Sequence, residues 1–161
     1  MKPADPMPVL SLDIGGTKTL VALVQHGVVL EESVLPTEAN SNPQDWVLQA
    51  AHAAKPWRGQ YRLVAAAVSG WVRDGMWSPL NTRTLNFQAR FALQPCLSQT
   101  FECPAWALND AQAAAWGEYR YGAAQNQDMF FLTLSTGLGG GMVLGGKLHL
   151  GREGLAGHVG V

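Results

Sequence analysis

Apolar and polar positions follow two rhythms along this chain. Residues 9–14, 18–24 and 28–35 are short apolar segments broken at Gly15-Gly16 and His26-Gly27, the pattern of three strands joined by tight turns. A helical period begins after Ser41-Asn42-Pro43, where a cap residue, a first-turn proline and Asp45 mark a helix start. Trp46, Val47, Ala50, Ala51 and Ala54 then recur on one face as far as Pro56. Residues 63–68 form a continuous apolar run, which predicts a strand covered on both faces. Residues 73–80 read as irregular or a short hairpin, and 89–98 as a weak helix interrupted by Pro95. Residues 105–108 read as a second buried strand, and 111–120 as an alanine-rich helix ending near Gly122.

Beyond Asp128 the strand rhythm restarts: a strand at 129–135, a glycine loop at 137–141, a strand at 142–144, a Gly145-Gly146 turn and a strand at 147–150. VLSLDIGGTKTLVALVQHGVVL and FFLTLSTGLGGGMVLGGKLHL thus share one plan of strand, polar glycine loop, strand, glycine turn and strand. Two copies predict two similar halves rather than a solenoid. The expected division is a first domain over residues 1–121 and the beginning of a second over 122–161. A three-stranded meander with no covering helix cannot bury both faces, so the second half is expected to be incomplete.

Composition narrows the classes. Hydrophobic residues make up 47% of the 161 and charged residues 14%, as in a folded globular protein. The net charge of -1, with no basic cluster, argues against a nucleic-acid partner. The start of the chain lacks a signal-peptide core and no run reaches membrane-span length, so a cytoplasmic protein without membrane contact is expected. Cys96 and Cys103 are read as free thiols, because their spacing fits no compact zinc pair.

Two glycine loops carry the candidate chemistry. Gly141 to Leu148 comes close to a Walker loop, but Leu148 replaces the required hydroxyl residue and the segment continues as strand, so this reading is rejected. No G-x-G-x-x-G opens a helix after the first strand, which disfavours a dinucleotide fold. DIGGTKT, Asp13 to Thr19, serves equally as a hairpin turn or as an anion nest. In the second reading the amides of Gly15, Gly16 and Thr17 face a phosphate, Asp13 holds hydrated Mg²⁺ and Lys18 assists. STGLGGG, Ser135 to Gly141, has more glycines than a hairpin needs, which favours close approach of a ligand and a two-sided polyphosphate clamp. Asn109-Asp110 follows a strand and opens a helix. It is read as an N-cap pair, with Asp110 also placed where open α/β sheets carry catalytic groups.

DIGGTKT, NDAQAAAWGE, LTLSTGLGGGMVLGGKL and GREGLAGHVG together resemble the ROK family of sugar kinases, with the actin/hexokinase-like (ribonuclease H-like) α/β ATPase fold and its mixed sheet. NDAQAAAW and LAGHVG look like the bacterial N-acetylmannosamine kinases of that family, most other members having glutamate at the position of His158. The resemblance implies phosphate loops contributing Asp13, Gly15, Gly16, Thr17, Lys18, Thr136, Gly137, Gly139 and Gly140. It implies Asp110 as the base acting on a sugar 6-hydroxyl, and Gly70, Asn81, Asn109, Asp110 and His158 around an N-acylated hexosamine. ATP and Mg²⁺ would be the cofactors, and a small-molecule sugar the partner. The family's zinc histidine is replaced by Val161, and Cys96 and Cys103 do not match the family cysteines, so no zinc site is expected in this chain. The adenosine-binding part that the resemblance implies for the second domain is missing as well, so these 161 residues are expected to be an N-terminal fragment or truncated product with little or no kinase activity. The alternatives are a non-catalytic sugar-binding remnant, paired as a homodimer through its meander, and a kinase for glucose or another hexose. A family regulator with a helix-turn-helix before DIGGT is disfavoured by the short, proline-rich start.

Overall fold

A computed structural model describes residues 6–82, 84–134 and 137–160. Strands β1 (Val9–Ile14), β2 (Lys18–Gln25) and β3 (Val28–Pro36) form an antiparallel meander, turning at His26-Gly27 with both residues at positive φ. Helix α1 (Pro43–Ala53) then crosses over to β4 (Val64–Val68), which pairs in parallel with β1. A two-stranded ribbon follows, β5 (Trp71–Arg73) and β6 (Met76–Ser78), closed by Asp74-Gly75 at φ 51° and 75°, the left-handed pair that a tight hairpin takes. Helix α2 (Leu93–Phe101) leads to β7 (Ala105–Asn109), which pairs in parallel with β4 and completes the sheet order β3-β2-β1-β4-β7. The mixed sheet expected from sequence is present.

The core lies on one face of this sheet. Alternate residues Leu10, Leu12, Ile14, Val64, Ala66 and Val68 point into it, as the period of two dictates, and meet Trp46, Val47 and Ala50 of α1 and Leu93 and Leu97 of α2. The indoles of Trp46 and Trp77 meet edge to face, 5.5 Å between centroids. Asn42 caps α1 by accepting the amide hydrogen of Gln44 at 3.0 Å.

Helix α3 (Asp110–Tyr121) continues directly from β7 and lies against a second antiparallel meander, β8 (Met129–Leu134), β9 (Leu138–Leu144) and β10 (Lys147–His149). The two meanders repeat one plan, as the sequence pattern predicts.

Four local expectations are corrected. Pro95 does not interrupt α2 but sits in its first turn, where a missing amide hydrogen costs no helical bond. Residues 139–141 are not loop but part of β9, because α3 presses on them: a Cβ on Gly141 would stand 2.7 Å from the Cβ of Ala115, and one on Gly139 3.0 Å from that of Ala111. The strands at 63–68 and 105–108 are covered fully on one face only; Ala65 and Ala67 are half-buried on the other and Trp106 is 64% exposed. The second meander does have a covering helix, α3, while Phe130, Leu132 and Leu134 on its far face are exposed.

Candidate active site

The three parallel strands end level with one another, Ile14 beside Val68 and Val68 beside Asn109. The residues that follow them, Gly15-Gly16, Ser69-Gly70 and Asp110, therefore emerge at the carboxyl edge of the sheet, where open α/β folds bind ligands. They line a cleft of about 610 Å³ whose floor includes Ser11, Asp13 and Ala67. The small alanine side chains on this sheet face leave that space open. The opposite wall belongs to the second meander and the segment after it, with Thr133, Gly137, Leu138, Gly139, His158 and Gly160.

A hydrogen-bonded turn builds the centre of the cleft. Asn109 caps α3, its Oδ1 accepting the Gln112 amide hydrogen at 3.1 Å, while its Nδ2 donates to the Gly70 carbonyl at 2.8 Å and to Asp110 Oδ1 at 2.9 Å. The same Asp110 oxygen accepts the Ala111 amide hydrogen at 2.8 Å. Gly70 has φ +131°, and a Cβ there would stand 2.5 Å from Trp77 Nε1 and 2.6 Å from the Ser78 carbonyl. Only glycine combines that backbone with that approach.

Burial pushes the Asp110 carboxyl above its usual pKa range, and the hydrogen bonds from Ala111, Asn109 and Ser69 only partly offset this. Asp13 is raised as well, by burial first and then by the negative charge of Asp110, with Lys18 working in the opposite direction. A perturbed carboxylate pair in a cleft makes Asp13 and Asp110 functional-site candidates on physical grounds.

Of the residues singled out from sequence, the cleft brings together Asp13, Gly15, Gly16, Gly70, Asn81, Asn109, Asp110, Gly137, Gly139 and His158. Thr17 and Lys18 are exposed and are not among its lining residues. Gly140 is buried away from it, a Cβ there clashing with the Gly157 carbonyl, and Thr136 lies outside the described residues. The Gly15 amide hydrogen is donated to the Lys18 carbonyl at 3.0 Å, so the hairpin turn uses it and it does not serve in an anion nest. Sequence reasoning passed over Ser11, Ser69, Thr84 and Thr133 in the lining, and Gln112 behind it. The position of Ser69 directly after a strand, beside Gly70, was the available signal. Among the described residues no group of three or more His, Cys, Asp or Glu side chains could hold a metal ion, and no helix is long and apolar enough to cross a membrane.

Known proteins resemble this chain in sequence and in fold. The chain is 47% identical over 153 residues to the bifunctional enzyme NanE/NanK of Brucella melitensis, covering 95% of this chain and 30% of that protein. It is 43% identical over 155 residues to the N-acetylmannosamine kinase of Shigella boydii, covering 96% and 53%. It therefore spans about half the length of that kinase, and less of the bifunctional enzyme. Among solved structures it superposes on a ROK family glucokinase from Streptomyces griseus, in complex with glucose and AMPPNP, with TM-score 0.79 and 34% identity, covering 92% of this chain and 48% of that one. The ROK family model matches residues 9–160, and the chain belongs to the ROK family.

Proposed function

We propose that the protein, as its gene encodes it, transfers the γ-phosphoryl group of ATP to the 6-hydroxyl of N-acetylmannosamine. The observation that carries this reading is the convergence of two glycine turns, two perturbed carboxylates and His158 on one cleft. Asp110 is the base. Its raised pKa brings it closer to the pH at which a carboxylate both is ionised and accepts a proton effectively. It takes the hydroxyl proton as the sugar oxygen attacks phosphorus in line, the bond to the β-phosphate oxygen breaks and ADP leaves. Asn109 holds Asp110 from one side and the Gly70 turn from the other, which keeps base and sugar loop in register.

Gly16 and Gly137 flank the phosphates from the two walls, with Gly139 behind. Nothing lies within 4 Å of a Cβ built on Gly137, so the cradle is open on that side. The carboxylate oxygens of Asp13 are hard donors of the kind Mg²⁺ prefers, and the negative charge that Asp110 presses on Asp13 is what a cation there would relieve. Mg²⁺, bound with ATP, supplies charge neutralisation at the phosphates. His158 and Asn81 contact the sugar. The likeness to N-acetylmannosamine kinases at 43% identity supports an N-acylated hexosamine. Residues 1–121 and 122–161 are read as parts of two domains that meet at the cleft, a reading supported by their separate sheets.

A second reading, transfer to glucose, draws on the 34% identity to the Streptomyces glucokinase. ADP release measured with N-acetylmannosamine, N-acetylglucosamine and glucose separates the two. The proposal expects the highest kcat/KM for N-acetylmannosamine, and a preference for glucose refutes its sugar assignment.

A further inference from the structure

The segment that carries His158 packs on β9 at Gly157, beside Gly140 and Gly141, and its side-chain fastenings to β5 and α3 converge on one dipeptide, Glu153-Gly154. Trp71 Nε1 donates to the Glu153 carbonyl at 2.6 Å, and the Arg73 guanidinium is ion-paired with the Glu153 carboxylate. Arg90 lies over the Trp71 ring, 5.5 Å from its centroid, and helps to hold the indole in place. From the other side Gln112 Nε2 donates to the Gly154 carbonyl at 3.0 Å. Gly154 is buried at φ +75°, and a Cβ there would stand 2.9 Å from the Val72 carbonyl, so the loop lies directly on β5.

Each element that meets at this dipeptide also carries part of the cleft. The β5–β6 ribbon starts immediately after Ser69-Gly70. Gln112 is 2% exposed in the first turn of α3, two residues after Asp110, with its backbone held by Asn109. Four residues beyond Gly154, His158 lines the cleft, its amide hydrogen donated to the Leu155 carbonyl at 3.0 Å. Arg73, Gln112 and Glu153 themselves are not among the cleft's lining residues. Arg73 and Glu153 are 37% and 53% exposed, too open for their pairing to contribute much to stability. Its effect is on geometry, and a displacement near 1 Å can cost about 100-fold in rate.

We propose that Arg73, Gln112 and Glu153 are positioning residues that set His158 against the sugar, fixing sugar affinity without touching it. The inference rests on the reading of this cleft as a hexosamine kinase site. It is tested in the gene-encoded protein by steady-state kinetics of Arg73→Gln and Gln112→Leu, with Glu153→Gln as a milder variant in case either fails to fold. The expected result is a rise in KM for N-acetylmannosamine of about 10-fold, with KM for ATP within about 2-fold of wild type. Arg73→Lys should recover most of the loss by restoring the ion pair. An unchanged sugar KM, or equal rises for sugar and ATP, overturns the proposal. The ¹H–¹³C resonances of the His158 ring give a second readout that needs no turnover. If the wild type phosphorylates no hexosamine, the kinase reading falls, and these resonances alone judge the positioning claim. A shift in Arg73→Gln upholds it and an unchanged spectrum overturns it.

Discussion

Replacing Asn109 by alanine removes three hydrogen bonds from the turn at the centre of the cleft. Loss of the cap on α3 costs about 1 kcal/mol. The buried Gly70 carbonyl loses the Asn109 amide, and a buried acceptor left unpaired costs about 1–3 kcal/mol. The sum is about 2–4 kcal/mol, which for a chain of this size lowers the melting temperature by about 4–16 °C. Asn109→Ser keeps a capping oxygen and should be milder by about 1 kcal/mol. Asn109→Asp also keeps the cap, but it places a negative charge beside both Asp110 and the Gly70 carbonyl. Its destabilisation should therefore be larger at pH 8 than at pH 4, near the ordinary carboxylate range, where protonation relieves the repulsion. Urea unfolding of the three variants at both pH values checks this order. An Asn109→Ala variant within about 0.5 kcal/mol of wild type would refute the claim that this side chain holds the turn together.

Asp110→Asn should lower kcat by about 10²–10⁴-fold, the range for loss of a general base, with sugar binding measured by calorimetry largely kept. Asp13 and Asp110 have carboxyl pKa values raised by folding, so the native state binds protons more tightly than the unfolded chain. Their contribution to stability is thus lost as pH rises from their usual range near 3.8 through the raised values, and Asp110→Asn should be more stable than wild type at pH 7 in thermal denaturation. Gly141→Ala places a methyl group 2.7 Å from the Ala115 Cβ and 3.1 Å from the Gln112 Cα, and should cost about 1–3 kcal/mol in urea unfolding. Gly137→Ala meets nothing within 4 Å, so stability should be unchanged while KM for ATP rises as the methyl group enters the phosphate cradle.

The strands and helices were legible because apolar periodicity and turn residues acted locally. His26-Gly27, Asp74-Gly75 and Gly145-Gly146 all adopt positive φ at hairpin turns. What the sequence concealed depends on neighbours distant along the chain. STGLGGG looks like a ligand loop, yet three of its glycines lie in β9, where α3 and the segment at Gly157 leave no room for a side chain. Pro95 looks like a helix breaker until the position of the helix start is known. Ala65, Ala67 and Trp106 read as buried on composition, although they lie on the sheet face that opens toward the cleft side. The catalytic candidates were legible because Asp13, Gly70 and Asp110 all sit at or just beyond strand ends. Gln112 was not, since a single polar residue in an alanine-rich helix gives no sign that it reaches Gly154, 42 residues away.

The central claim is that one cleft holds the sugar hydroxyl against Asp110 and the phosphates between the two glycine turns. The most direct test is a crystal structure of the gene-encoded protein with AMPPNP, Mg²⁺ and N-acetylmannosamine. The account predicts the sugar O6 within about 2.6–3.2 Å of an Asp110 carboxylate oxygen, with the γ-phosphate between Gly16 and Gly137. A sugar bound away from Asp110, or phosphates that leave either glycine turn untouched, would contradict it.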